Sequence, residues 1–373
     1  MAAIQPITMP KFGLAMTEGT VADWHKAEGE AVAAGEELVD IETTKITNAF
    51  ESPVAGTLRR QVVAPGGSVP VGALIGVLAD PSVPAAEIDS FVADFQASFV
   101  PDSETAEGAG EGAPTARLVE TAQGPINVFE AGTGAGPPVV LIHGFGGDLN
   151  NWMFVQPALA ERTRTIALDL PGHGGSTKDV ARGDSAELAA ALAAVLDALS
   201  LETAHLVGHS LGGAVALDLA GRSRERVASL TLISPAGLGP EINMDYVSGF
   251  LSAKRRKQMK PVLELLFADP GLVGRDMIED ILRFKRLDGV AEALAAIAAQ
   301  NFAEGRQAVD HRATLAALDR PAQVIWGAED RIIPASHAED LPQAVTVKRL
   351  SGAGHMAQME QARAVADAIA STH

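Results

Sequence analysis

The chain has 373 residues, 47% of them hydrophobic, which is enough for one large and one small domain with separate cores. A net charge of −18 argues against nonspecific binding to nucleic acid or to an anionic membrane; an anionic cofactor would need a local basic patch, none is obvious in the sequence, and "KRRK" at 254–257 is the best candidate. The lack of any cysteine excludes disulfides, thiolate metal sites and a cysteine nucleophile, so thiol chemistry must use thiols from elsewhere.

The opening "MAAIQPITMPKFGLAM" shows no basic leader followed by an apolar stretch, and the apolar run "LAAALAAVLDALSL" carries Asp197. Both point to a cytoplasmic protein with no membrane span. Residues 1–80 contain a faint repeat: Gly19, Gly29, Val32, Gly35, Leu38 and Ile41 recur 37 positions later as Gly56, Gly66, Val69, Gly72, Ile75 and Leu78. Each half consists of short apolar runs punctuated by Gly and Pro, which predicts two small sheets related by a pseudo-twofold axis. Lys45 falls between "ELVDIE" and "AFES", where a hairpin turn would present it to solvent.

The segment "EGEAVAAGEELVDIETTKITNAFESPVAGTL" resembles the lipoyl domains of 2-oxo acid dehydrogenase complexes, an all-β flattened barrel or sandwich. Biotin carriers share that fold but flank their lysine with methionines, whereas Thr44 and Ile46 flank Lys45. The resemblance implies a lipoyl group in amide linkage to Lys45, with Glu42 and Thr43 read by a lipoate ligase. Residues 81–116 then carry seven acids and no Lys or Arg. Within them Ile88, Phe91, Val92, Phe95 and Phe99 recur at helical spacing and predict a short amphipathic helix, docked on its own domain or on a partner, with docking in cis the plainer expectation. Residues 101–115 read as a flexible acidic linker spanning about 20 Å on average and at most about 50 Å.

Residues 117–373 alternate apolar strands with helical periods, which predicts a mostly parallel sheet covered on both faces. The candidate helices include 185–199 and 211–221, and a helical insertion over about 235–318 forms a cap. "HLVGHSLGG" places Ser210 between an apolar strand and a helix, in the pattern of a nucleophile elbow. Asp330 in "GAEDRIIP" and His355 in "SGAGHMAQME" follow the last two predicted strands, with Glu329 as the alternative acid. Side chains at the carboxyl ends of parallel strands converge on one crevice, so His355 is the expected base for Ser210 and Asp330 its orienting partner. The turn "HGFGG" at 143–147 offers the Phe145 N–H, and the Leu211 N–H completes an oxyanion pair. His143 and His173 are expected to shape loops; His209 is assigned no role. Met244, Tyr246, Phe250, Leu265, Leu266 and Phe267 are candidates for an acyl pocket, with packing inside the cap as the competing role. No residue is assigned to a metal.

This half resembles the α/β-hydrolase superfamily in fold and in the order of its triad. The whole multidomain arrangement resembles the E2 components of bacterial acetoin dehydrogenase complexes. That resemblance implies dihydrolipoyllysine-residue acetyltransferase activity, with coenzyme A as acceptor. It also implies a thiamine diphosphate-dependent E1 (acetoin dehydrogenase) and dihydrolipoamide dehydrogenase (E3) as partners, in an assembly that leaves room for a homo-oligomer. The H-x-x-x-D-G motif of ordinary E2 chains is absent from the sequence. Two other readings stay open: a tethered thioesterase or esterase that releases the acyl group to water, and a noncatalytic carrier.

Overall fold

The computed structural model describes residues 4–10, 18–42, 47–52, 54–99 and 115–372. The chain falls into two compact units that divide near residue 114. In the first, the strands are β1 (Gln5–Thr8), β2 (Glu18–Trp24), β3 (Ala31–Val32), β4 (Glu37–Glu42), β5 (Thr47–Glu51), β6 (Gly56–Gln61), β7 (Ser68–Pro70) and β8 (Leu74–Ala79). They form two four-stranded sheets, one in the order β1-β8-β6-β3 and the other β5-β4-β2-β7. Advancing each strand of the first sheet by four places, cyclically, gives the order of the second, which is the structural counterpart of the sequence repeat. The repeated glycines sit where left-handed turns require them: φ is 94° and 86° at Gly29 and Gly66, and 80° and 83° at Gly35 and Gly72.

Ile7, Val21, Leu38, Ile41, Leu58, Ile75 and Leu78 are among the residues that form the core of this unit. At the end of the β4–β5 pair Glu42 lies opposite Thr47. Lys45, with Thr43, Thr44 and Ile46, falls between those two residues and outside the described residues. Ala31 of β3, Thr57 of β6 and Ala79 of β8 lie side by side. Because β3 leads directly into the start of β4, Glu42 at the far end of β4 is at the opposite pole of the unit from Ala79.

β8 ("LIGVLA") is buried along its whole length, and helix α1 (Ala85–Ser98) explains why. Ile88 packs with Leu74, Val77, Ala79 and Val83, flanked by Phe91, Val92 and Phe95, so the helix docks on its own unit. Arg60 forms an ion pair with Asp89 across this contact. Apart from Thr115, the predicted linker lies outside the described residues.

The strands of the second unit are β9 (Arg117–Val119), β10 (Ile126–Ala131), β11 (Val139–Ile142), β12 (Thr165–Leu168), β13 (Ala204–His209), β14 (Val227–Ile233), β15 (Ala322–Gly327) and β16 (Val345–Leu350). They form one sheet in the order β16-β15-β14-β13-β11-β12-β10-β9. Pairing is parallel from β16 through to β12, and β10 is antiparallel to both of its neighbours. The sequence pattern does not signal β9, a three-residue edge strand whose Leu118 is exposed. The helices are α2 (Gln156–Ala160), α3 (Ser185–Ala198), α4 (Leu211–Arg222), α5 (Met244–Ser252), α6 (Arg256–Leu263), α7 (Arg275–Phe284), α8 (Val290–Asn301), α9 (Arg312–Ala316), α10 (Ala357–Glu360) and α11 (Ala362–Ala370), with α5 to α9 inserted between β14 and β15. Asp197 on α3 is exposed and pairs with Arg226 at 2.8 Å. Among the described residues no helix is long and apolar enough to cross a membrane.

The packing of α1 gives a direct test. Ile88→Ala in the full chain removes a side chain that is 1% exposed and should destabilise the N-terminal unit by about 2–4 kcal/mol. Calorimetry should show that unit's transition falling while the transition of the second unit stays in place.

Candidate active site

Ser210 ends β13 and begins α4 with φ 53° and ψ −119°, a strained backbone for a residue with a side chain. Its neighbours permit the turn by having no side chains. A Cβ on Gly208 would stand 2.4 Å from the Gly212 carbonyl oxygen, and one on Gly212 would stand 2.3 Å from that of Ile142. Ser210 N–H donates to the Ile233 carbonyl at 3.0 Å, and Ala236 N–H donates to the Ser210 carbonyl at 2.9 Å. The 143–147 turn abuts this elbow, since a Cβ on Gly144 would meet Ser210 Cβ at 2.8 Å. Neither the Phe145 N–H nor the Leu211 N–H donates a hydrogen bond among the described residues. Leu211 opens α4, where a backbone N–H has no partner within the helix.

Asp330 follows β15, His355 follows β16, and the two side chains meet: His355 Nδ1–H donates to Asp330 Oδ2 at 2.8 Å, with side-chain exposures of 2% and 0%. Trp326 Nε1–H donates to the same oxygen at 3.1 Å, while Ile332 and Ile333 N–H donate to Oδ1 at 2.8 and 3.0 Å. Burial pushes the Asp330 carboxyl pKa up, but His355 and the backbone donors outweigh it and hold the group below the usual carboxylate range. The alternative acid, Glu329, is instead exposed and accepts from Gly352 N–H at 2.9 Å. With Nδ1 engaged, Nε2 is the His355 nitrogen left for proton transfer.

Three buried histidines brace this arrangement. His209, assigned no role from sequence, donates from Nε2 to the His355 carbonyl at 2.9 Å and so ties the elbow to the histidine loop. His143 donates from Nδ1 to the Gly144 carbonyl at 2.7 Å and accepts at Nε2 from Leu170 N–H at 2.9 Å. His173 donates from Nδ1 to the Pro171 carbonyl and accepts at Nε2 from Gly146 N–H, both at 3.1 Å. Donating at one nitrogen and accepting at the other, His143 and His173 are neutral, while the buried Nδ1 of His209 has no hydrogen-bond partner among the described residues. Burial lowers the pKa of all three, to about 3 at His209.

The comparisons with known proteins agree with this geometry. A family model described as "alpha/beta hydrolase fold" matches residues 137–362, and one described as "Biotin-requiring enzyme" matches residues 5–78. The dihydrolipoyllysine-residue acetyltransferase component of the acetoin cleaving system of Pseudomonas putida is 49% identical over 98% of this chain and 97% of its own length. Its counterpart in Cupriavidus necator is 48% identical over 96% of this chain and 94% of its own length. The chain belongs to this acetyltransferase family. Among solved structures, a variant of the meta-cleavage product hydrolase of Pseudomonas fluorescens superposes with a TM-score of 0.63 at 24% identity, covering 69% of this chain and 96% of that one. That likeness shows the α/β-hydrolase fold.

In this acetyltransferase-family chain the predicted acyl-pocket residues divide. Tyr246 donates its hydroxyl to the Phe145 carbonyl at 3.1 Å, and the Phe250 ring centroid stands 5.7 Å from that of Phe145. Leu266 and Phe267 pack at the histidine loop, where Met356 N–H donates to the Leu266 carbonyl at 3.1 Å. Met244 and Leu265 are half-buried. Sequence reasoning missed Glu360, whose carboxylate accepts from Ala268 N–H at 2.7 Å and Gly354 N–H at 2.6 Å and so fastens the cap to the loop carrying His355. An acid five residues past the histidine in "GHMAQME" was the available signal. For the carrier group, the observation in favour is the antiparallel β4–β5 pair, whose facing ends Glu42 and Thr47 bracket Lys45 in the sequence. No cluster of three metal-ligating side chains occurs among the described residues.

The neutral histidines predict acid sensitivity. Between about pH 6.5 and 3 the unfolded chain binds protons that His209 in the native fold does not, so stability falls as pH drops through that window. Going from pH 7.5 to 5.5 should remove about 1.4 kcal/mol for His209 alone, and more with His143 and His173. Urea unfolding at the two pH values measures this; equal stability would refute the neutral assignment.

Proposed function

We propose that the chain is the E2 component of an acetoin-cleaving complex and moves an acetyl group from the arm on Lys45 to coenzyme A by way of Ser210. The observation that supports this most is one chain joining a carrier hairpin to a strained Ser210 elbow and a buried His355–Asp330 pair. The lipoyl group supplies a mobile dithiol that presents the acyl group as a thioester.

Ser210 Oγ attacks the thioester carbonyl as His355 Nε2 takes its proton, and the Phe145 and Leu211 N–H groups receive the charge that develops on oxygen. Asp330 holds the imidazolium through Nδ1. His355 then hands the proton to the departing sulfur, which leaves an acyl-Ser210. In the second half His355 takes the proton of the coenzyme A thiol, the thiolate attacks the acyl-serine, and His355 returns the proton to Ser210. Transfer rather than hydrolysis requires that water be kept out, and exposures of 6% at Ser210 and 2% at His355 favour it. The hydrolytic reading uses the same residues, and the ratio of acetate to acetyl-coenzyme A among the products separates the two.

In this reading the partners are a thiamine diphosphate-dependent E1 that loads the arm, dihydrolipoamide dehydrogenase that reoxidises it, and a lipoate ligase, all in the cytoplasm. Ser210→Ala should lower acetyl transfer about 10³-fold or more, and single-turnover mass spectrometry should find the acetyl adduct on Ser210 in the parent protein. Lys45→Arg should abolish both the lipoyl mass increment and transfer within the complex, while Ser210 still hydrolyses a small soluble ester. Transfer at the normal rate by the Ser210→Ala protein would refute the route.

A further inference from the structure

Five of the chain's 29 Lys and Arg residues lie between 254 and 260, with no acid among them, although the net charge is −18. The fold concentrates them at one corner of the cap. Lys254 follows α5, Arg255 is the residue that begins α6, and Arg256, Lys257 and Lys260 lie on α6. Lys285 arrives from beyond the end of α7: its Nζ donates to the carbonyls of Phe250, Leu251 and Ala253, the last at 2.7 Å. Arg256 and Lys260 are paired, with Glu279 and Glu264, each at 3.6 Å. Lys254, Arg255 and Lys257 are exposed and have no ion-pair partner among the described residues. Arg255, Arg256 and Lys257 stand at the start of α6, where cations oppose the helix dipole.

The corner also has an address. Lys285 Nζ stands 5.2 Å from the centre of the Phe250 ring. That ring is in turn 5.7 Å from the ring of Phe145, and it closes on Gly146, where an added Cβ would meet it at 2.5 Å. The Phe250 ring therefore borders both the lysine held at the basic corner and the turn carrying the Phe145 N–H. An acceptor suited to that layout carries a thiol at one end of a long uncharged arm and several phosphates at the other.

We propose that Lys254, Arg255 and Lys257 bind the phosphates at the nucleotide end of coenzyme A, so that its thiol reaches Ser210 past Phe250. The proposal rests on coenzyme A being the acceptor, as inferred above. The phosphates are held by charge-assisted hydrogen bonds and by the local field of the corner.

The test compares the full lipoylated chain with its K254E/R255E/K257E and K254Q/R255Q/K257Q variants. Both sets lie on the surface, and hydrolysis of a small ester by Ser210 reports that the site is intact. Coenzyme A, pantetheine and adenosine 3′,5′-bisphosphate are the probes. Expected is a KM for coenzyme A raised at least about tenfold in the Glu variant and less in the Gln variant. The KM for pantetheine and the ester rate should not change, and inhibition by adenosine 3′,5′-bisphosphate should be lost. An unchanged KM for coenzyme A, or equal kcat/KM for coenzyme A and pantetheine in the parent protein, overturns the site while leaving the transfer reading intact. Slower delivery from the chain's own acidic carrier unit with an unchanged coenzyme A KM also overturns it, and assigns the corner to that unit. If the parent protein makes only acetate with either thiol, it is the acceptor reading that fails. The anion site is then decided by direct titration with adenosine 3′,5′-bisphosphate: binding lost in the Glu variant upholds it, and no binding by the parent overturns it.

Discussion

Much of the second unit follows from holding Ser210 at positive φ. A non-glycine residue in that conformation costs about 1–3 kcal/mol and persists only when its surroundings leave it no alternative. Here Gly208 and Gly212 let strand and helix approach within a distance no Cβ would permit, and Gly144 brings a second turn against the serine itself. The same contacts seat the 143–147 turn against Ser210 and start α4 at Leu211. Strain, close packing and a pair of unused donors are thus one feature of the backbone.

Around that turn the protein places uncharged hydrogen-bonding rings. His143 and His173 use both ring nitrogens on backbone partners, and His209 spans from the elbow to the His355 carbonyl. A neutral imidazole can accept on one side and donate on the other, which lets it stitch loops together without bringing a buried charge beside a developing oxyanion. The buried charge that does lie here belongs to Asp330, and it is held by four donors.

The parts of this design that depend on local chemistry were readable in the sequence. The elbow, the glycines of the 37-residue repeat and the spacing of Ile88, Phe91, Val92 and Phe95 all recur in the folded chain, because a turn or a periodic face is written in neighbouring residues. What escaped notice depends on contacts between distant ones. His209 gains its partner 146 positions away, and Glu360 reaches 92 positions back to Ala268. Edge strand β9 has too few residues to show a period. The docking of α1 had a subtler trace: β4 reads "ELVDIE", with three acids, while its repeat partner β8 reads "LIGVLA", with no polar side chain. That difference marks where α1 covers β8.

The pairing of β3, β6 and β8 fixes a geometry with mechanical meaning. It puts Ala79 and Glu42 at opposite poles of the carrier unit, and α1 then runs back along β8 until a Cβ on Gly72 would meet the Phe99 ring at 3.4 Å. A six-residue strand is about 20 Å long, and the 14 residues of α1 rise through about the same distance. The segment beyond α1 therefore sets out from beside Gly72, and its own length alone sets how far it reaches unless α1 leaves β8.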